Sequence, residues 1–430
     1  MPGSPSGARS CRAANTSKLC RWRLGTVLAS SILWIVAGLS GQAGADNPSL
    51  PTDPVFTGLR TDGKTTSGRI VAISGDTISL ENEAGSREAL PLRSLVKLCR
   101  EPRAANRAIE GSHVLLPDGD RLMRVVVGAT TETTVEVEWH SALGKLTIPV
   151  DCVLGMVLAP PSDPDAFDQL WNRVKSEPRT SEVVWLQNGD RMTGGFLGLT
   201  DQAVKLQLGG KLVEIDRIGV VALGFDPAIV NYPRPKGAFL DLTLADGSRL
   251  GVTGAKLEKS HLAATTRFGQ QIRVPLTELL RIDPRDETVV YLSDRKPDGQ
   301  SYVAYLGPTR PFHADQTVEG HRFQLAGHSY ERGLGTQSRT LLAYRLKPGD
   351  RRFQATVGVD ERAGPLGSVV FRVLTDGKPV LTTPSLTARD TPRSIDVDIS
   401  HAKILILATE FGDRGDVRDL ADWVEARIIR

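Results

Sequence analysis

The residues best suited to catalysis or metal binding are few and widely spaced in this sequence. Seven histidines are spread over 430 residues, and His313, His321 and His328 are among those in the last third of the chain. The sequence has no GxSxG nucleophile elbow, HExxH or CxxC motif. A glycosidase would need two carboxylates held across a cleft, and no motif identifies such a pair. These patterns favour a non-catalytic protein.

The first 45 residues have the order of an export signal. A basic start precedes an apolar run at residues 24–39, and Ala43-Gly44-Ala45 then supplies a small-residue cleavage site. The alternative is an anchor that stays attached, because the apolar run approaches the roughly 17 residues at the lower limit for crossing a bilayer. We predict a signal peptide at residues 1–45, cleavage after Ala45, no membrane span in the remainder, and an exported protein.

The predicted leader accounts for the basic character of the chain. The formal net charge is +3, and the leader holds five basic and no acidic residues, so the remainder has a net charge of −2. Without a broad basic surface, nucleic acid is not an expected partner. Two cysteines remain outside the leader, Cys99 and Cys152. Export permits one disulfide between them, but sequence alone does not place them within bonding distance.

A repeated turn organises residues 50–285. Each Asp-Gly or Asn-Gly pair is flanked by alternating apolar residues and predicts the tip of a β-hairpin. The spacing predicts four small β units that resemble SH3-like or Sm-like barrels, closed or half-closed, while a continuous elongated sheet is the alternative. The turns are Asp62-Gly63, Asp118-Gly119, Asn188-Gly189 and Asp246-Gly247, and the units are 50–103, 110–159, 181–227 and 236–285.

A short helix is predicted in the linker at residues 160–180. Asp163 precedes Pro164 as an N-cap precedes a first-turn proline. Apolar residues within 166–175 follow at helical spacing, which favours a helix packed on a neighbouring unit over a partner-binding helix.

The last third of the chain, residues 288–430, has longer strand patterns separated by Gly-rich and Asp-rich loops. These runs alternate or are continuously apolar, as in the strands of a sandwich. A segment of this length can bury its own core. The predicted strands include Phe353–Val359, Ser368–Leu374, Ser394–Ile399 and Lys403–Thr409.

A series of ordered motifs runs through this segment. The motifs are Tyr291-Leu292-Ser293-Asp294, Gly327 to Gly335 (GHSYERGLG), Tyr344-Arg345-Leu346, Val357-Gly358-Val359-Asp360, Gly367 to Val373 (GSVVFRV), Asp376-Gly377-Lys378 and Asp419 to Trp423 (DLADW). In this order they resemble the NPCBM family of carbohydrate-binding modules. The resemblance implies a galactose-binding-like jelly-roll β-sandwich, glycan recognition by loops at one edge, and often a bound calcium ion. The family commonly has histidine where this chain has Gln337 and Leu420.

Sugar binding needs an apolar platform of ring size and polar groups that hydrogen-bond hydroxyls. Tyr330 would supply the platform, although strand packing is the alternative for it. Asp360 would orient a ligand or cap its own loop. Trp423 lies in an alternating terminal strand and is expected in the core. The carbohydrate-binding candidates are Tyr330, Gln337, Arg339, His328 and Asp360.

A dense group of aspartates near the C-terminus is the candidate calcium site. Calcium takes six to eight oxygen ligands, commonly from clustered carboxylates and backbone carbonyls. Aspartates at this density are also ordinary in surface turns. The candidate ligands are Asp413, Asp416, Asp419 and Asp422.

Three functions remain open from the sequence. The first is an exported, non-catalytic protein that binds cell-surface or extracellular polysaccharide or glycoconjugate through residues 288–430. The second is a structural or scaffolding envelope protein in which the sandwich and the repeats contact protein partners. The third is an accessory module of glycan-degrading activity, of the glycoside hydrolase type. We favour the first.

Overall fold

The computed structural model describes residues 53–100, 110–139, 144–303 and 310–430. From Thr52 to Arg430 the chain packs as one compact, mostly β unit. The predicted leader at residues 1–45 lies outside the described residues. Within the described ranges, no helix is long and apolar enough to cross a lipid bilayer.

Residues 55–285 form four consecutive β units with the same strand order. The second strand of the third unit is broken into two, and each other unit has five strands. The strands are β1 (Val55–Arg60), β2 (Thr65–Ser74), β3 (Thr77–Glu81), β4 (Arg87–Pro91), β5 (Leu95–Arg100); β6 (Ser112–Leu115), β7 (Arg121–Thr130), β8 (Thr134–Trp139), β9 (Gly144–Pro149), β10 (Gly155–Val157); β11 (Val183–Leu186), β12 (Arg191–Thr193), β13 (Gly195–Leu199), β14 (Ala203–Leu208), β15 (Lys211–Asp216), β16 (Val220–Gly224); β17 (Phe239–Leu244), β18 (Arg249–Glu258), β19 (His261–Thr266), β20 (Gln271–Pro275) and β21 (Leu279–Arg285).

All four predicted turns connect the first and second strands of a unit. The glycine of each turn has a positive φ, between 83° and 88°. In the first unit the Gly63 N–H donates to Arg60 O and the Arg60 N–H donates to Lys64 O. This is a three-residue loop rather than the two-residue loop that the sequence suggested, and only the glycine needs the left-handed conformation.

The units do not close into separate barrels, so the closed form of the prediction is wrong. In each unit the fifth strand pairs with the first, and the fourth strand pairs only with the third among the described residues. The fifth strands also pair between units: β5 with β21, and β10 with β16. The result is one 21-stranded network, which removes the fifth-strand edges from solvent.

The predicted linker helix is present as α1 (Pro164–Ser176). Asp163 caps it, because its Oδ1 accepts a hydrogen bond from the Ala166 N–H at 2.8 Å. Phe167, Leu170 and Val174 are buried, and the last two pack in one apolar cluster with residues of the second and third units. The prediction of a packing helix is therefore confirmed.

Residues 289–429 form the predicted β-sandwich. One sheet has the order β24-β27-β35-β29-β33, with β22 paired to β35, and the other has the order β23-β28-β34-β30-β31, with β32 paired to β30. The strands are β22 (Val289–Tyr291), β23 (Gly299–Tyr302), β24 (His313–Ala314), β25 (Phe323–Leu325), β26 (His328–Tyr330), β27 (Gly333–Thr336), β28 (Thr340–Arg345), β29 (Arg352–Val359), β30 (Ser368–Thr375), β31 (Lys378–Thr382), β32 (Leu386–Thr387), β33 (Arg393–Asp398), β34 (Ile404–Phe411) and β35 (Ala421–Ile429).

Trp423 lies at the centre of the sandwich core, as predicted, and is fully buried. Its ring packs edge-to-face on Phe371 of the opposite sheet, with centroids 5.1 Å apart. Its indole N–H donates to Thr409 Oγ1 at 3.0 Å. Trp423 therefore holds the two sheets together and is not available as a sugar platform.

The sandwich packs against the repeats through a buried charged contact. Glu425 of β35 accepts hydrogen bonds from Arg281 at 2.7 Å and from Lys97 at 3.0 Å, and its side chain is only 6% exposed. Val96 packs beside this contact with Tyr291 of the sandwich. The C-terminal third is thus joined to the first and fourth units by both apolar and ionic contacts.

Candidate functional site

The loop end of the sandwich comprises residues 337–339, 360–367 and 412–419. These three segments meet because β27, β29 and β34 all finish at the same side as the start of β35. Thr336 and Val359 both lie opposite Ala421 in the paired strands. The Asp360 N–H donates to Leu420 O, and the Ser368 N–H donates to Asp419 Oδ1 at 2.9 Å.

Asp360 and Asp422 form a buried carboxyl pair beneath this end. Asp360 accepts hydrogen bonds from the backbone N–H groups of Gln324, at 2.8 Å, and Arg362, at 2.9 Å. Asp422 is fully buried and faces Asp360. Burial, together with the neighbouring Asp360 carboxylate, raises the pKa of Asp422 well above its ordinary value. Burial and the neighbouring acid therefore favour the protonated form of Asp422, which belongs to the framework beneath the loop end.

Gln337 and Asp419 also lie at the loop end, and both are buried. The Gln337 side-chain amide donates to Asp416 O at 3.4 Å, while its buried Oε1 has no hydrogen-bond partner among the described residues. Burial is the main reason that the pKa of Asp419 rises to about 6. Gln337 thus presents an unused acceptor beside the aspartate loop, which is a feature a ligand donor or a water would satisfy.

Arg339 is an exposed cation of the loop end, with its guanidinium 5.8 Å from the centre of the Phe411 ring. The Val303 N–H donates to Arg339 O, and Tyr302 lies opposite Thr340 in the paired strands. Tyr302 and Phe411 are both partly exposed. Phe411 therefore lies beside the Arg339 guanidinium, and Tyr302 precedes the residue whose backbone is bonded to Arg339; the sequence reasoning missed both. Phe411 was detectable as the aromatic end of a strand that immediately precedes the aspartate loop.

Tyr330 does not lie with Gln337 and Arg339. It is half-buried in the β25–β26 hairpin, where it packs with Phe323, Leu325 and Val424. Tyr330 also lines a small cavity of about 90 Å³, together with residues of α1 and the second unit. The alternative role in strand packing fits Tyr330. His328 is exposed on the same hairpin, whose Gly327 N–H is bonded to the Glu361 carboxylate.

The four candidate calcium ligands do not converge. Asp413 is exposed, and its backbone N–H is bonded to Ser368 Oγ, whereas Asp422 is turned toward Asp360. Within the ranges described, no three histidine, cysteine, aspartate or glutamate side chains lie close enough to hold a metal ion. The side chains give no support to calcium binding, which stays a prediction.

The two cysteines outside the leader are unpaired. Cys99 lies in β5 and is partly exposed, and Cys152 is buried in the second unit. Burial, aided by the neighbouring Asp151, raises the pKa of the Cys152 thiol to about 11. Both thiols are therefore protonated residues of the repeats, and neither belongs to the loop end.

Comparison with known families agrees with the motifs of the C-terminal third. The family model described as NPCBM/NEW2 domain matches residues 288–429. Residues 288–429 are an NPCBM/NEW2 domain. The match covers the sandwich and begins after the fourth unit. The four preceding units therefore lie outside the NPCBM/NEW2 domain.

Individual relatives and solved structures match parts of this chain. A protein of Renibacterium salmoninarum that carries the name “Putative endo-alpha-N-acetylgalactosaminidase” is 26% identical over 156 residues, which is 33% of this chain and 10% of that protein. This chain thus spans about a tenth of the length of that relative. The solved CBM51 from Clostridium perfringens GH95, in complex with methyl-galactose, is 25% identical, covers 33% of this chain and 99% of its own, and has a TM-score of 0.31. The tandem CBM51 modules of a Streptococcus pneumoniae family 98 glycoside hydrolase are 11% identical, cover 60% of this chain and 90% of theirs, and have a TM-score of 0.30.

Proposed function

We propose that this chain is an exported, non-catalytic protein that binds glycans through the loop end of its NPCBM/NEW2 domain. The family match identifies a carbohydrate-binding type of module, and export follows from the predicted leader. The curated relative is named as a glycosidase. Association with glycan-degrading proteins is therefore the setting in which this module would act.

The observation that carries the proposal is the placement of Gln337, Arg339 and Phe411 at the loop end, with Tyr302 at the adjoining end of β23. Gln337 has an unused buried acceptor, and Arg339 is an exposed donor beside the Phe411 ring. Partly exposed aromatic faces pack on the apolar side of a pyranose ring, while planar polar groups bond its hydroxyls. This combination meets the chemical requirements of a sugar site.

Galactose and N-acetylgalactosamine are the first sugars to test, because the names of the relatives mention methyl-galactose and N-acetylgalactosamine. Isothermal titration of the full-length protein with each sugar should show saturable binding. The variants Gln337→Ala and Arg339→Ala should each weaken it by about tenfold, the loss of one charge-assisted or buried hydrogen bond. Arg351→Ala is the matched control, since Arg351 is exposed at the opposite end of β29.

Binding that persists in both loop-end variants would place the sugar elsewhere and overturn the proposed site. A folded protein that binds no sugar on a broader glycan panel would overturn the function and favour scaffolding in the envelope. The titrations are run with calcium and again with a chelator, because the calcium prediction is untested. Release of reducing ends from polysaccharide would contradict the non-catalytic assignment.

A further inference from the structure

A second cleft lies at the opposite end of the sandwich from the loop end. It has a volume of about 580 Å³. It is bounded by residues 234–239, which lead into the fourth unit, and by residues 285–295. Lys347 also lines it and precedes β29, whereas Asp360 of the loop end follows β29. The size falls within the roughly 300–1,000 Å³ typical of ligand sites. The two sites are therefore separated by the length of a sandwich strand.

The side chains around this cleft carry an excess of positive charge. The acids are Asp286, Glu287 and Asp294. Asp294 is already bound by Arg285 and Arg332, and Asp286 accepts hydrogen bonds from Thr288. The basic side chains are Arg234, Lys236, Arg285, Arg295, Lys347 and Arg430.

Three of these cations have no protein partner. Arg234, Lys236 and Lys347 are exposed, and none makes a side-chain hydrogen bond or ion pair with any residue the structure describes. By contrast, Arg430 is bonded to Asp350 at 2.8 Å. Arg234 and Lys236 line the cleft from the segment before the fourth unit, and Lys347 lines it from the sandwich. Their charges are therefore available to a ligand that spans the cleft.

The deeper arginines are ion-paired, Arg285 with Asp294 and Asp241 and Arg295 with Asp298, but each leaves one donor unused. Arg285 and Arg295 have side chains only 16% and 19% exposed. The Nη1 atom of each is buried and has no hydrogen-bond partner in the described part of the chain. A buried donor without a partner is costly. Since these atoms are shielded from solvent, they act on a ligand through their positive potential, which an anion in the cleft would balance.

An apolar wall accompanies the cations. Pro235, Phe239 and Val289 line the same cleft, and Phe239 is partly exposed. Cations above an apolar surface suit a ligand whose rings are apolar on one face and which carries regularly spaced anions. We propose that this cleft is a second glycan site, which binds the carboxylate or sulfate groups of an acidic polysaccharide. The choice of a glycan as the carrier of the anions rests on the proposed function of the chain.

The test compares the full-length protein with a triple variant, Arg234→Gln, Lys236→Gln and Lys347→Gln. The probes are polygalacturonate for carboxylates, chondroitin sulfate for sulfates, and dextran as the neutral polymer. Affinity for at least one polyanion should fall by about tenfold or more in the variant, because three exposed ion pairs are lost. Binding by the unmodified protein should also weaken steeply between about 50 and 500 mM NaCl as these charges are screened.

A matched control variant removes the same charge elsewhere. Lys211, Lys256 and Lys378 are exposed, unpaired among the described residues, and remote from the cleft in the fold. The variant Lys211→Gln, Lys256→Gln and Lys378→Gln should bind the polyanions within about twofold of the unmodified protein. Equal losses in both variants would mean a non-specific effect of net charge and would overturn the cleft as a site.

The remaining outcomes are also decisive. Polyanion binding by the unmodified protein that is unchanged in the cleft variant overturns the proposal, as does the lack of polyanion binding. If single-stranded poly(U) competes for the cleft as well as either polysaccharide does, the assignment of an acidic polysaccharide as the ligand is wrong. Failure of this proposal is distinguishable from failure of the proposed function, because neutral sugar binding is tested by Gln337→Ala and Arg339→Ala at the other end of the sandwich.

Discussion

Asp360 and Asp422 bring two carboxyl groups together in the interior of the sandwich. Asp360 accepts two backbone hydrogen bonds, which favour its ionised form, whereas Asp422 is enclosed and faces Asp360. Burial raises the pKa of both carboxyl groups, and the nearby Asp360 carboxylate raises the pKa of Asp422 further. The pair connects the loop that carries Asp360 with β35, the strand that carries Asp422 and Trp423. It therefore helps to position the loop end.

Substitution of each acid should therefore give a different result. Asp422→Asn copies the protonated form and should leave the unfolding midpoint at pH 7 at or above that of the unmodified protein. Asp360→Asn offers one oxygen to two backbone donors and should lower the free energy of unfolding by about 1–3 kcal/mol. Chemical denaturation at pH 7 measures both. Equal destabilisation by the two variants would contradict this assignment of the proton.

The pH dependence has a definite sign. The pKa of Asp422 is raised in the folded protein, so its stabilising contribution is complete below the unfolded pKa of about 3.9 and is lost as pH rises through the folded pKa. Asp419, with a pKa of about 6, acts in the same direction between about pH 4 and pH 6. The Asp422→Asn variant should therefore gain stability relative to the unmodified protein as pH increases.

At the scale of elements, the packing of α1 depends on a glycine in the adjoining strand. Gly155 of β10 lies against Val174 of α1 and against Leu223 O of the paired strand β16. A Cβ built at Gly155 would be 2.4 Å from each of these two neighbours. The helix and the joined strands can approach this closely only because residue 155 has no side chain.

Gly155→Ala should consequently destabilise the protein by about 1–3 kcal/mol through overpacking. Gly195→Ala in β13 is the matched control, because its new methyl group would meet only the Gln207 side chain, at 3.8 Å. Urea unfolding monitored by circular dichroism measures both. Comparable midpoints for the two variants would show that α1 can move away from β10 at little cost.

At the scale of the whole molecule, the NPCBM/NEW2 domain is not an appendage on a flexible linker. Glu425 is buried between Arg281 and Lys97, and Arg332 of the sandwich contacts Asp241 of the fourth unit at 3.4 Å. These contacts predict that the repeats and the sandwich unfold together. The repeats would thus set the orientation of the glycan site. They would also form one wall of the second cleft, which lies at the opposite end of the sandwich.

Glu425→Gln should weaken the contact between the repeats and the sandwich, because it removes the buried negative charge that Arg281 and Lys97 share. We expect a loss of about 3–5 kcal/mol and a calorimetric transition that changes from one peak to two. Glu214→Gln removes a pair with Lys205 whose side chains are 53% and 39% exposed, and it should cost less than about 1 kcal/mol. Two peaks in the unmodified protein would show that the halves are already independent.

The sequence by itself determined the local features of this fold. The glycines of four turns, the Asp163 cap and the alternating runs around Trp423 act through their immediate neighbours, so their consequences can be read without a structure. The motifs from Tyr291 to Trp423 likewise identified the NPCBM/NEW2 domain. The core position of Trp423 and the packing helix followed from periodicity alone.

Only the tertiary structure decided which distant residues meet. It packed Tyr330 on Phe323, Leu325 and Val424, brought Phe411 beside Arg339, and turned Asp422 toward Asp360. It also joined the first unit to the fourth and the second to the third, where the sequence had left closed barrels, half-closed barrels or a continuous sheet open. Strand pairing and packing between segments far apart in the chain depend on the complementarity of whole surfaces, and no local pattern encodes which surface each segment will meet.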